Sequence, residues 1–152
     1  RADEDDTKYA DEAIKRLQAA VHDVAVAVLK REYGEDIVNG VPSDKILEKA
    51  FSRQLEDKRK GEEMPLHAYF DLMDFKEIIE HKKNWPFYRE IFDIPMPEDK
   101  GFAKNIRWLV ELNALRRVSA HPGGERRYKP DEIKFIRLLE AELFRRTELV
   151  KS

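Results

Sequence analysis

The chain has 152 residues, of which 41% are hydrophobic and 39% are Asp, Glu, Lys or Arg, and its formal net charge is −2. This composition is too apolar for a disordered protein, and the near-neutral charge excludes a global basic field for nucleic acid, so any anion site must be local. The absence of cysteine excludes disulfides, thiolate catalysis and cysteine zinc sites, and it agrees with the cytoplasmic location that we expect.

The first predicted helix covers residues 8–33. Its apolar side chains recur every three or four residues, with one step of five, and Gly34 follows as a stop signal. The acidic run at residues 3–6 has the residue types of a metal cluster, but a solvated lead-in that favours the helix N-terminus explains it better. The sequence therefore predicts a long amphipathic helix here and no metal site.

The second predicted helix begins after Pro42. Ser43 is its predicted N-cap, because a serine side chain accepts a hydrogen bond from an otherwise unpaired amide of the first turn. The helical pattern continues to Gly61, and most of its positions are charged. Its apolar positions predict the buried face, which consists of Leu47, Ala50, Phe51 and Leu55.

The third predicted helix spans residues 66–85, where apolar side chains again recur at helical spacing. We expect Pro86 to interrupt it, because proline lacks a backbone N–H and its ring clashes with the preceding turn. A short helix over residues 87–94 is predicted after this break, followed by a turn at residues 95–97.

Two further helices complete the predicted fold. Residues 99–120 carry apolar side chains over a broad arc, which is typical of the most buried helix of a bundle. The last helix is predicted over residues 132–150, after Pro130-Asp131. No alternating apolar pattern indicates a strand. The prediction is an all-α helical bundle of four to five main helices in one domain, residues 1–152.

No apolar run approaches the roughly 20 residues that a membrane span needs, so no membrane partner is expected. The chain begins with Arg1 rather than Met and ends on a helical pattern. We therefore expect a fragment of a larger protein, whose other domains are expected partners. No cofactor is expected.

The most informative stretch is "ELNALRRVSAHPGG", residues 111–124. Pro122 disfavours helical backbone at His121, so a helix is predicted to end near Ala120. Arg116 and Arg117 then occupy its last turn, beside the negative end of the helix dipole. Either these cations simply cap a helix, or two arginines and an imidazole form an anion site.

Three segments of the chain resemble a HEPN domain, in the branch of that family associated with RNA endonucleases. Residues 72–92 resemble the family helix that ends in Lys-Asn-Trp. Residues 108–122 resemble its motif helix, which ends in an arginine followed, after four to six residues, by His-Pro. Residues 128–146 resemble its final helix. The resemblance covers a little over half of the chain. Residues 1–60 match only as generic helices.

The resemblance implies a HEPN-like helical bundle that dimerises and brings two Arg/His motifs together in a composite ribonuclease site. Arg116 matches the family arginine and His121 the family histidine, so both are predicted catalytic residues. Arg117 stands where many active members have Asn, Asp or His, and Gly123 replaces a frequent tyrosine. The alternative is therefore a non-catalytic HEPN module for dimerisation or for binding RNA or protein.

The chemistry of these residue types fits RNA cleavage without a metal. A histidine transfers protons near neutral pH, and an arginine presents a charged fork of donors to phosphate oxygens. Residues five apart on an ideal helix are separated by about 140° of rotation. Arg116 and His121 therefore need either local unwinding or a second subunit to meet, which favours a homodimer.

Further positions are predicted to extend the RNA-binding surface beside Arg117. Lys82 and Lys83 end a motif segment, where they either bind RNA or form a solvated helix end. Asn84 either polarises the site or caps its helix. The tryptophans at positions 85 and 108 are predicted core anchors, and the histidines at positions 22 and 67 are predicted to be structural.

Overall fold

The computed structural model describes residues 2–101, 103–119 and 128–151. Within these ranges the chain forms six α-helices, two short 3₁₀ helices and no strand, which confirms the predicted all-α class. The α-helices are α1 (Ala2–Tyr33), α2 (Asp44–Arg59), α3 (Leu72–Glu80), α4 (Trp85–Phe92), α5 (Trp108–Ser119) and α6 (Pro130–Lys151). The 3₁₀ helices are Ile37–Gly40 and Leu66–Tyr69.

The chain divides into two compact units. The first comprises Arg1–Val21 with Arg89–Ser152, and the second comprises His22–Tyr88. Helices α1 and α4 therefore each contribute residues to both units. The expectation of one domain over residues 1–152 stays a prediction, and each unit is described by itself.

The core of the first unit is formed by the apolar faces of α1, α5 and α6. Its fully buried side chains include Ile14, Leu17, Trp108, Leu109, Leu112 and Ile136. Polar bonds join α1 to α6 at the edge of this core, where Glu140 accepts hydrogen bonds from Tyr9 Oη at 3.1 Å and from Arg16 Nε at 2.8 Å. Burial of the apolar stripes is the main source of stability for such helices.

The core of the second unit gathers residues from α1, α3 and α4. Leu29, Ile78, Ile79 and Tyr88 have no exposed surface. The Tyr88 hydroxyl donates a hydrogen bond to the Ala25 carbonyl at 2.8 Å. Burial raises the pKa of Tyr88 far above its ordinary value, so the phenol stays protonated and continues to donate.

Helix α2 begins at the predicted N-cap, because Ser43 Oγ accepts a hydrogen bond from the Ile46 amide at 3.4 Å. Its predicted buried face was wrong at two positions. Phe51 is 46% exposed and Leu55 is 48% exposed, whereas Ile46 and Ala50 are buried. The helix therefore packs along the stripe that contains Ile46 and Ala50, which leaves the neighbouring apolar stripe in contact with solvent.

The single helix predicted over residues 66–85 was wrong. Asp71 starts a new helix with a capping box, in which its side chain accepts from the Asp74 amide at 2.8 Å and Asp74 accepts from the Asp71 amide at 2.9 Å. Pro86 does not interrupt a helix, since it lies in the first turn of α4. Proline is tolerated there because the amides of the first turn have no partner within the helix.

The long helix predicted over residues 99–120 was also wrong at its beginning, because α5 starts only at Trp108. Asp93 Oδ1 accepts hydrogen bonds from the Asn105 amide at 2.8 Å and from the Asn105 side chain at 2.9 Å. Gly101 has φ +74°, a left-handed conformation that interrupts a helix. These bonds and this glycine hold the segment before α5 in an irregular path.

Candidate functional site

Helix α5 carries the predicted arginines, and its beginning is anchored firmly in the first unit. Trp108 has no exposed surface, and its Nε1 donates a hydrogen bond to the Phe92 carbonyl at 3.0 Å. The two rings stack with a centroid separation of 6.0 Å and an interplanar angle of 4°. The prediction that Trp108 is a core anchor is confirmed, and so is that for Trp85, which is buried.

Arg116 and Arg117 occupy the last turn of α5, as predicted. Arg116 is half-buried, and its Nε donates a hydrogen bond to Asn113 Oδ1 at 3.3 Å. Asn113 is itself buried, so it limits the orientations of the guanidinium. An arginine has five N–H donors, so this bond leaves the paired donors of the two Nη groups for a ligand.

Arg117 differs from Arg116 in its exposure. Its side chain is exposed to solvent, whereas that of Arg116 is half-buried against Asn113. An exposed cation suits the electrostatic attraction of a polyanion, whereas a cation held by a neighbouring side chain suits directional recognition of a phosphate. The two neighbouring arginines are therefore suited to different tasks.

His121, the second predicted catalytic residue, lies outside the described residues, together with Pro122 and Gly123. The distance between Arg116 and His121 is therefore not part of the described geometry, and their cooperation stays a prediction. The described part of α5 ends at Ser119, three residues after Arg116.

Lys82 and Lys83 are both exposed and belong to the second unit, whereas the two arginines belong to the first. Lys83 Nζ donates a hydrogen bond to the Asn39 carbonyl at 3.2 Å and lies 5.1 Å from the centre of the Tyr33 ring. A cation over an aromatic face is weakly stabilised. Lys83 is therefore partly engaged within its own unit.

Asn84 has no exposed surface, and its side chain joins three segments of the second unit. Its Nδ2 donates to the Gly40 carbonyl at 2.8 Å and to the Ile78 carbonyl at 2.9 Å, and its Oδ1 accepts from the Tyr33 hydroxyl. A buried amide with both N–H groups and its oxygen engaged has no surface left for RNA. The structure therefore gives Asn84 a structural role in place of the predicted substrate contact.

Replacing Asn84 with alanine is expected to destabilise the protein by about 2–4 kcal/mol, because the substitution leaves buried polar partners such as the Gly40 carbonyl without a hydrogen bond. Urea denaturation followed by circular dichroism measures this free energy of unfolding. The neighbouring exposed substitution Lys82→Ala serves as the control and should change it by about 0.5 kcal/mol or less. Equal stability of the two variants would contradict the structural role of Asn84.

Two other arginines near the end of α6 are occupied by protein acceptors. Arg146 Nη1 donates to the Asp93 carbonyl at 2.8 Å, and Arg146 Nε donates to Glu142 at 2.8 Å. Arg145 also pairs with Glu142. The two arginines hold the pKa of Glu142 at about 2. Arg126 and Arg127 lie outside the described residues.

The two histidines predicted to be structural form a pair in the second unit. His22 Nε2 and His67 Nδ1 are 3.1 Å apart, and His22 Nδ1 lies 2.9 Å from Asp23 Oδ1. The pKa of His67 is lowered mainly by burial and, to a smaller extent, by the neighbouring His22. Their pairing links residues that lie far apart in the sequence, and no sequence pattern predicted it.

Sequence reasoning missed one residue of the candidate site, Asn113. Its signal was present, because residues three apart on a helix are neighbours and Asn113 precedes Arg116 by three. Within the described ranges, no group of three or more His, Asp or Glu side chains is placed to hold a metal ion. In the same ranges, no helix is long and apolar enough to span a membrane.

No protein-family model matches the chain, no curated protein is similar to it, and no solved structure matches it. The resemblance to HEPN domains therefore rests on the three motif segments alone.

Proposed function

We propose that the chain is a HEPN-type endoribonuclease domain that cleaves RNA without a metal and acts in the cytoplasm as part of a larger defence or RNA-processing protein. The observation that carries the proposal is the arrangement at the end of α5. Arg116 lies in the last turn and is held by the buried Asn113, and the sequence then continues to His121-Pro122.

The proposed reaction is attack of the ribose 2′-oxygen on the adjacent phosphorus atom. A base accepts the 2′-hydroxyl proton, the bond from phosphorus to the 5′-oxygen breaks, and an acid gives a proton to the departing 5′-oxygen. His121 supplies this proton transfer, and Arg116 stabilises the negative charge that accumulates on the phosphorane oxygens. The products are a 2′,3′-cyclic phosphate and a 5′-hydroxyl.

Asn113 supports the assignment of Arg116 as the phosphate-binding cation. A guanidinium held in one orientation loses less conformational freedom when it binds a phosphate. Electrostatic stabilisation of a transition state is most effective when the donors are positioned beforehand. Asn113 is a positioning residue in this scheme, and Arg116 contacts the reacting group.

A homodimer is part of the proposal. Two copies of His121 in one composite site provide one histidine as the base and the other as the acid. A second copy can also bring a histidine to Arg116, since Arg116 and a residue five positions later do not share one face of an ideal helix.

The dimer is tested by light scattering at high micromolar concentration, which should report twice the mass of the chain. A strictly monomeric protein would contradict this part of the proposal.

The proposed activity is tested by incubating the protein with end-labelled single-stranded RNA in the presence of EDTA. Cleavage is expected to persist, because no metal participates in the proposed reaction. Substituting His121→Ala should slow it by about a thousandfold. The matched control is His67→Ala, since His67 is a half-buried histidine that pairs with His22 and was predicted to be structural. A protein that leaves RNA intact, or a His121→Ala variant that cuts as fast as the wild type, would contradict the proposal.

Arg117 is expected to contribute to RNA affinity rather than to the cleavage step, because its side chain is exposed. Substituting Arg117→Asn should reduce the slope of log affinity against log salt by about 1, with the cleavage rate of bound RNA unchanged. Fluorescence anisotropy over a salt series measures the slope. The control Arg53→Asn removes an exposed arginine from α2 and should leave the slope unchanged.

A second candidate function is a non-catalytic module that dimerises or binds RNA or protein. The presence of Arg117 where many active HEPN domains have Asn, Asp or His favours it. In that case the wild-type protein binds RNA without cutting it, and Arg117→Asn introduces cleavage. The two assays above therefore separate the two functions.

A further inference from the structure

A groove of about 500 Å³ lies in the first unit, between the turn at residues 96–98, helix α5 and the beginning of α6. Its volume falls within the range of about 300–1,000 Å³ that is typical of ligand sites. Its apolar floor is formed by Met96, Leu115, Phe135 and Leu138. Its rim carries Glu98, Glu111, Asp131, Glu132 and Lys134.

The floor of the groove is only partly covered by the protein itself. Met96 and Leu115 are buried, but Leu138 is 39% exposed and Phe135 is half-buried. An apolar surface that stays in contact with water gains stability when another apolar group covers it. The floor therefore favours an occupant with at least one apolar side chain.

The rim is strongly acidic, with four carboxylates and one amine. Arg107 Nη2 lies 3.2 Å from Glu98 and 2.8 Å from the neighbouring Asp99, so part of this charge is balanced. Burial and the negative charge of the adjacent Glu98 raise the pKa of Glu111, because both disfavour the ionised form of its carboxyl group. A cation brought by an occupant would stabilise the ionised carboxylates of Glu98 and Glu111.

We propose that the groove binds a basic segment of a partner protein, which places an apolar side chain on the floor and Lys or Arg side chains against Glu98 and Glu111. Charge complementarity with the acidic rim carries the choice of occupant. The same rim repels nucleic acid, so this surface is distinct in its charge from the end of α5 at Arg116. The inference does not depend on RNA cleavage.

The probe for the test is a labelled synthetic helical peptide of about four turns, built from Leu on one face and Lys on the other. Its binding to the complete chain is measured by fluorescence anisotropy. Two matched peptides serve as comparisons, one with Glu in place of Lys and one with Ser in place of Leu. We expect the Leu-Lys peptide to bind at least about tenfold more tightly than either.

The site is located by amide shifts of the isotopically labelled protein, which are expected at residues 96–98, 111–115 and 131–138. Substituting Glu111→Lys should weaken binding about tenfold by adding repulsion. Ala114→Arg should weaken it similarly, because Ala114 is an exposed lining residue and the new side chain fills the groove. The control Glu77→Lys reverses an exposed charge on α3 and should leave binding unchanged.

Three results would overturn the inference. In the first, Glu77→Lys weakens binding as much as Glu111→Lys, which means that the peptide responds only to overall charge. In the second, the peptide with Ser in place of Leu binds as tightly as the original, so the apolar floor is not used. In the third, the protein self-associates through the groove and Glu111→Lys makes it monomeric, so the occupant is a second copy of the chain.

Discussion

Replacing His121 with alanine is expected to lower the rate of RNA cleavage by about a thousandfold, because a positioned proton-transfer group typically contributes between about 10² and 10⁴ in rate. The measurement is the single-turnover rate with protein in excess over RNA, which isolates cleavage from product release. The fold should survive, since Pro122 is expected to end the helix near Ala120 and His121 then contributes little to its stability.

Arg116 provides a second test of the same site. Substituting Arg116→Ala should lower the cleavage rate by about 10²–10³, as expected for the loss of a charge-stabilising donor. Substituting Arg116→Lys should restore part of the rate, because lysine keeps the charge but lacks the planar fork of donors. Thermal unfolding of each variant is the control, and a loss of rate that only follows a loss of folded protein would contradict the catalytic roles.

The largest effect on stability is expected at Trp108. Substituting Trp108→Ala should lower the free energy of unfolding by about 3–5 kcal/mol, because it leaves a cavity in the core of the first unit. It also removes the hydrogen bond to the Phe92 carbonyl and the stacked contact with the Phe92 ring. Urea denaturation provides the measurement.

Two comparisons make the Trp108 prediction specific. Trp108→Phe keeps an aromatic ring and loses the indole N–H, so it should cost less than Trp108→Ala. Phe87→Ala removes an aromatic side chain that is 36% exposed and should also cost less. A Trp108→Ala variant as stable as the Phe87→Ala variant would contradict the anchoring of α5 by Trp108.

Helices defined by local signals were predicted well from the sequence. α1 ends where Gly34 adopts φ +84° and its amide donates a hydrogen bond to the Lys30 carbonyl at 2.9 Å. A glycine at this position is the usual sequence signal for a helix end. Ser43 begins α2 as an N-cap for the same local reason. Both signals lie within one turn of the residues they control, so no knowledge of the tertiary structure was needed.

Features set by distant partners were not predictable in this way. The beginning of α5 depends on Asp93, which binds Asn105 twelve residues later in the chain. The exposure of Phe51 on α2 depends on which of two adjacent apolar stripes meets the core, and helical periodicity alone does not select one. The capping box at Asp71 is a different case, because Asp71 and Asp74 lie within one turn of each other and form a local signal. The sequence prediction missed this signal when it placed one helix over residues 66–85.

The candidate site shows the same division. The position of Arg116 and Arg117 in a last helical turn followed from Pro122, because proline restricts the residue before it. The burial of Asn84 did not follow from its neighbours, because its partner Gly40 lies 44 residues away in the chain. The sequence therefore identified polar residues that could bind a substrate, but only the structure distinguished exposed side chains from those that are buried and hydrogen-bonded within the protein.

The chemical nature of the RNA ends after cleavage tests the central claim most directly. Mass spectrometry of fragments made in EDTA should show a 2′,3′-cyclic phosphate, or the monophosphate formed by its hydrolysis, on one fragment and a 5′-hydroxyl on the other. These ends should be absent with His121→Ala and present with His67→Ala. Fragments that carry a 5′-phosphate and a free 3′-hydroxyl, or RNA left intact by the wild-type protein, would contradict the proposed attack by the 2′-oxygen.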